Sequence, residues 1–193
     1  MTDSVRPPFG NFSTTVPALE VCADLAAPVA EALKNWDAPG AAASVLYVDS
    51  DPEHADTAVF CEAYDVPSEV SANCVVVAAK RAGEVTLAGC LALATTRVDV
   101  NRAVRTHLGA RKASFAPMDT AVELTGMEYG GITPVGLPGG WPLLIDEAVA
   151  AAPYVLVGSG RRRGKLILPG WALAALPGAE VLPGLAGLPG LAG

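Results

Sequence analysis

Two apolar runs constrain this chain more than any other feature. Asn73-Cys74-Val75-Val76-Val77-Ala78-Ala79 is rich in β-branched residues, and a second run extends from Val85 to Thr95. The turn Ala82-Gly83-Glu84 separates them. That pattern predicts an antiparallel hairpin buried on at least one face, because continuous apolar runs of strand length are covered by other elements. A hairpin alone is marginal in water, so the rest of the chain must supply the cover.

The flanking segments read as mixed helices and strands. Residues 1–16 read as an extended arm. Asp24 is a candidate cap for a helix to about Trp36, with Pro28 tolerated only near its first turn. Ala42 to Val48 reads as a strand and Asp56 to Tyr64 as a short helix ended by Asp65-Val66-Pro67. Asp99 suits the cap of a helix through His107, and Pro117 and Asp119 the first turn of a helix that Gly126 stops. Strands follow at Leu143–Ile145, Tyr154–Val157 and Lys165–Leu168, then a closing helix from Pro169 to Leu176. Strands and helices without regular βαβ alternation indicate α+β.

At 193 residues the chain is long enough for one domain with a core. Three segments are expected: an N-terminal extension, 1–50, packed on the core; the main domain, 51–183; and a flexible Pro/Gly/Leu/Ala tail, 184–193, in which Pro-Gly-Leu-Ala-Gly recurs. No run of about 18 apolar residues is present and the first residues lack a signal-peptide pattern, so a cytoplasmic protein without membrane attachment is expected. Four scattered cysteines and two histidines make a poor ligand set, so neither metal nor cofactor is expected. A net charge of −7 argues against broad nucleic-acid binding, but it is unevenly spread. Residues 1–79 hold two basic and twelve acidic side chains, and residues 80–193 hold eleven basic and eight acidic. A local cationic face in the second part is compatible with an acidic protein.

That second part contains the loop Thr125-Gly126-Met127-Glu128-Tyr129-Gly130-Gly131-Ile132-Thr133-Pro134-Val135-Gly136. Glycine lets backbone approach a ligand closely, and exposed N–H groups in such a turn can hold a carbonyl oxygen or a phosphate. By itself the loop reads first as a plain structural turn.

The loop has an ordered context: Val98-Asp99-Val100, Leu108-Gly109-Ala110-Arg111-Lys112, Ala116-Pro117-Met118, Thr125-Gly126, Gly130-Gly131-Ile132-Thr133-Pro134, Leu144-Ile145-Asp146-Glu147 and Val157-Gly158-Ser159-Gly160. Read together, these segments resemble the YbaK/ProX family, the prolyl-tRNA synthetase associated or INS-type editing domains, over roughly residues 55 to 182. The resemblance implies a compact, curved, barrel-like mixed β-sheet with surrounding helices. It also implies hydrolysis of the ester joining a wrong amino acid to the 3′-terminal ribose of tRNA. The ester is already activated, so a bound water, a polarised carbonyl and a held ribose suffice.

On this resemblance Gly130, Gly131 and Thr133 hold the aminoacyl end through backbone amides. Pro134 and Gly136 shape the loop, Gly158 and Gly160 line the same pocket from a second turn, and Asp146 matches an acidic position. Many family members carry a lysine at the start of the buried strand, where this chain has Cys74. Three readings follow: Cys74 takes part in catalysis, the site works without a side chain there, or hydrolysis is lost and a binding protein remains. Arg161, Arg162, Arg163 and Lys165 form the densest basic cluster and are candidates for phosphate contact with tRNA. Phe115 and Tyr129 are candidates for base stacking. The expected function is trans-editing deacylation, with tRNA and an aminoacyl-tRNA synthetase as partners; an esterase on a small acyl metabolite is a third possibility.

Overall fold

The computed structural model describes residues 5–188. The strands are β1 (Thr15–Pro17), β2 (Leu46–Val48), β3 (Ala72–Arg81), β4 (Glu84–Leu93), β5 (Arg97–Val98), β6 (Lys112–Phe115), β7 (Leu143–Asp146), β8 (Val155–Gly158), β9 (Lys165–Leu168), β10 (Ala179–Leu182) and β11 (Ala186–Gly187). The helices are α1 (Ala27–Lys34), α2 (Thr57–Ala63), α3 (Arg105–His107), α4 (Met118–Thr125), α5 (Glu147–Ala151) and α6 (Gly170–Ala174).

The hairpin is β3–β4, paired in register from Ala72↔Leu93 to Arg81↔Glu84. Ala82 and Gly83 take φ of +50° and +92° at its turn, the left-handed geometry that matches strand twist in tight hairpins. It forms the middle of a five-stranded sheet ordered β10-β7-β4-β3-β6, in which β7 runs parallel to both β4 and β10. A second, four-stranded antiparallel sheet is ordered β1-β2-β9-β8. A parallel bridge, Ser71↔Leu156, joins the two sheets beside the start of β3. The main core is shared by both, with Leu91 and Ile145 from one sheet, Leu166 and Leu168 from the other, and Val29 and Leu33 of α1. The expected α+β class and mixed sheet hold. Among the described residues the Ser71↔Leu156 bridge is the one strand-to-strand link between the two sheets, and no closed barrel forms.

Several local expectations shift. The first helix begins at Ala27, with Asp24 in a preceding 3-10 segment, because Pro28 fits only a first turn. Ala42–Ser44 forms a 3-10 turn, where Ser44 Oγ donates to Ala41 O at 2.6 Å, and only Leu46–Val48 remains a strand. Asp56 and Gly126 cap and stop their helices as expected, and Asp99 caps a π-helical turn, Val100–Val104, that leads into α3. The chain is ordered beyond residue 184: Leu185 is fully buried and β11 pairs with β5. The last part of the Pro-Gly-Leu-Ala-Gly repeat, from residue 189, and the first four residues of the arm lie outside the described residues.

Candidate functional site

The glycines of the 125–136 loop are needed first for packing. Gly126 takes φ +65° to end α4, and Thr125 Oγ1 accepts from Met127 N at 3.3 Å. The chain then runs against the turn that follows β8. Glu128 N donates to Gly160 O at 2.8 Å, Gly160 N to Gly131 O at 2.8 Å, and Arg162 N to Glu128 Oε2 at 2.7 Å. A Cβ on Gly131 would collide with the Arg161 carbonyl, and one on Gly158 with the Gly131 carbonyl. The two glycine-containing segments are therefore laced together, backbone on backbone.

This lacing revises the expected roles. The N–H of Gly131 is spent on Glu128 O at 2.9 Å, and that of Thr133 faces Met127 Sδ at 3.5 Å. The amides of Gly130 and Ile132 have no acceptor among the described residues, and both residues line a cavity. Gly158 and Gly160 hold the loop in place and do not border that cavity. Pro134 and Gly136 instead border a separate apolar cleft of about 440 Å3 with Trp36 and Trp141, whose one ionisable lining residue is Glu180. Asp146 is a structural cap: its Oδ1 accepts from Ala148 N at 3.1 Å and its Oδ2 from Ala186 N at 3.0 Å.

The cavity beside Gly130 has a volume of about 420 Å3. It opens where the start of β3, the N-terminus of α2 and the 129–132 loop converge. Its walls are mostly small and apolar, including Ala55, Ala72, Ala116, Ala121, Val76 and Ile132. Phe115, Met118 and Tyr129 also border it and stay more than half exposed or close to it, at 59, 50 and 58%. Polar groups are few. Thr57 Oγ1 donates to Asn73 Oδ1 at 2.8 Å, and Asp56 is occupied as the cap of α2.

The remaining charged group is Lys165. Expected on the surface with the arginines, it is only 6% exposed and borders the cavity. Its Nζ donates to Ala55 O at 3.1 Å and Gly130 O at 3.3 Å, and lies 5.5 Å from the centre of the Phe60 ring. Burial, and then the nearby Arg162 guanidinium, lower its pKa from 10.5 to about 8; Asp56 and Cys61 pull the other way. The rest of the basic cluster separates. Arg163 pairs with Asp49 at 2.7 Å, and Arg162 donates to Tyr129 O at 3.4 Å and Pro52 O at 3.2 Å. Arg161 is exposed. The one sequence signal for the position of Lys165 was its place in Lys-Leu-Ile-Leu, an otherwise apolar strand. For Asn73 and Thr57 there was none.

Cys74 lines one wall of the cavity. Its side chain packs against the main core, and burial, with a smaller push from Cys90, raises the thiol well above its ordinary range. A thiol held protonated is a poor nucleophile. Among the described residues no group of three or more potential ligands is placed to hold a metal ion, and no helix is long and apolar enough to cross a membrane.

Fold and site together define an α+β domain with a cavity walled mostly by small apolar residues and bordered by one buried ammonium and by loop amides that have no acceptor among the described residues. Residues 51–176 match the aminoacyl-tRNA editing domain, and the chain belongs to that family. Its fold is similar to that of a candidate trans-editing enzyme for prolyl tRNA synthetase, with a TM-score of 0.68 and 23% identity over 82% of this chain and 94% of that one. A scaffold used for computational epitope grafting matches at 0.68 and 23%, covering 82% and 95% of the two chains. The hypothetical protein APE2540 matches at 0.61 and 23%, covering 69% and 85%. No curated protein sequence matches significantly.

Proposed function

We propose that this chain is a trans-editing hydrolase that removes a small, uncharged amino acid from a mischarged tRNA by cleaving the ester at the 3′-terminal ribose. The observation that carries the reading is the 420 Å3 cavity, walled by small apolar residues and bordered by the free amides of Gly130 and Ile132 and by the Lys165 ammonium, in a chain of the editing family. Alanine-lined walls favour small side chains, and discrimination there rests on fit, worth about 1–3 kcal/mol per methylene. An activated ester asks for a held carbonyl and a positioned water, and the site offers donors for the first. Exposed Arg161 and the rim residues Phe115 and Tyr129 would meet the phosphates and terminal bases of the acceptor end. A reaction on tRNA belongs in the cytoplasm, and an aminoacyl-tRNA synthetase is the partner that supplies the mischarged substrate.

The test is a deacylation screen over tRNAs charged with alanine, cysteine, serine and proline, with larger residues as controls. The expected result is hydrolysis of one or two small aminoacyl-tRNAs well above the spontaneous rate. Tight binding of such a tRNA without acceleration on any would replace the hydrolase with the binding protein that Cys74 in place of a lysine suggests.

A further inference from the structure

Lys165 lies on an inner strand. β9 sits between β2 and β8, paired Val48↔Lys165 and Gly158↔Lys165, and the residues that follow, Leu166, Ile167 and Leu168, are all buried. An apolar side chain is the ordinary occupant of such a position. Burying a cation is costly unless it is paired, and no carboxylate lies within ion-pair distance of this one among the described residues. Two of its three N–H groups are satisfied by Ala55 O and Gly130 O. The third has no acceptor among the described residues, at a residue that borders the cavity. The ammonium is also fixed: two carbonyls and the Phe60 face hold it, and its bond to Gly130 ties it to the loop whose free amides border the same space.

We infer that Lys165, delivered by β9 and not by the strand that carries Cys74, is a catalytic residue of the deacylation, donating its remaining N–H to the ester carbonyl oxygen of the bound aminoacyl group. The inference rests on the hydrolase reading. Water adds to the carbonyl carbon, and the charge that develops on the carbonyl oxygen is held by the ammonium and the loop amides. The bond from carbon to the ribose oxygen then breaks, the ribose oxygen takes up a proton from the water, and free amino acid and tRNA are the products. Lysine ends as it began, as a cation. Burial serves this role, because a charge acting on an oxyanion is worth more where water is excluded.

The charged and titratable groups around the amine are the Arg162 guanidinium from the turn before β9, the Asp56 carboxylate at the cap of α2 and the Cys61 thiol from its body. Their net effect leaves the amine titrating near pH 8, so the ammonium is lost as pH rises through that range. The experiment compares single-turnover deacylation by wild type and Lys165→Met across pH, using the ratio of the two rates so that titration of the substrate's own α-amine cancels. A loss of about a hundredfold at pH 7, the scale of one oxyanion donor, is expected, with the ratio shrinking above pH 8. In parallel, NMR of 13C-labelled lysine in the wild type follows the Lys165 titration with and without a 3′-amide-linked aminoacyl adenosine. Binding of that analogue should raise the titration midpoint. Rates of Lys165→Met within threefold of wild type, or a midpoint unmoved by bound analogue, would overturn the assignment. Failure of the wild type to hydrolyse any aminoacyl-tRNA removes the hydrolase reading instead, while the NMR titration still decides whether Lys165 meets the carbonyl.

Discussion

Replacing Lys165 by methionine should change how stability depends on pH, separately from any effect on activity. The folded amine releases its proton near pH 8, and the ordinary lysine value of 10.5 applies when the chain unfolds. Between those values the unfolded chain binds more protons than the folded one, so stability rises with pH there. Below pH 8 both states hold the proton and the whole penalty is present. A difference of this size corresponds to about 3 kcal/mol at pH 7. Between pH 7 and pH 9.5 about 2 kcal/mol of that is recovered. Lys165→Met lacks the titrating group and should not show the gain. Its loss of the bonds to Ala55 O and Gly130 O is a separate offset, nearly independent of pH because a neutral amine also donates. Raised thiol and phenol groups such as Cys90 and Tyr47 act in the opposite direction, but they do not feel Lys165, are common to both proteins and cancel. Urea unfolding of both proteins at the two pH values measures the difference of differences directly. Wild-type and variant stabilities that change in parallel from pH 7 to 9.5 would refute the claim that this cation is buried.

Two further outcomes follow from the geometry. Gly131→Ala should destabilise by about 2 kcal/mol or more, since its Cβ meets the Arg161 backbone and not a flexible side chain, and thermal melting will show it; a melt unchanged from wild type contradicts the lacing of the two loops. Cys74→Ala should keep deacylase activity within a few-fold, because the thiol is protonated and packed against the core; a loss beyond about a hundredfold, together with burst kinetics, would make it the nucleophile.

The legible part of the fold was what local chemistry decides alone. The β3–β4 hairpin carries its own turn, and Asp56, Asp99 and Gly126 mark helix ends wherever the helices pack. Strand β10 escaped notice because it is a four-residue edge strand with Val181 exposed, specified by its neighbour β7 more than by its own alternation. At the site, the loop segment was visible but its division of labour was not. Whether an N–H in it is spent or free depends on Glu128 O and Met127 Sδ, contacts that glycine spacing does not encode. Asp146 read as a site acid because a cap and a ligand are the same residue in a sequence. Lys165 was grouped with three arginines by adjacency, while the pleat of β9 and Gly164, whose φ of +73° sets it against Tyr47, direct it inward.

The four-stranded sheet has a consequence for the order in which the chain can be completed as it is made. β2 ends at Val48, and its inner partner β9 begins only at Lys165. At bacterial-to-eukaryotic synthesis rates the interval is on the order of 10 s. The β3–β4 hairpin, whose partners are separated by a two-residue turn, is finished long before. During that interval β1 and β2 have only each other, and an open edge of β2 faces the surroundings. A nascent chain stopped short of β9 therefore lacks the strand that both covers this edge and carries the buried ammonium, and its open edge is a template for association with other chains.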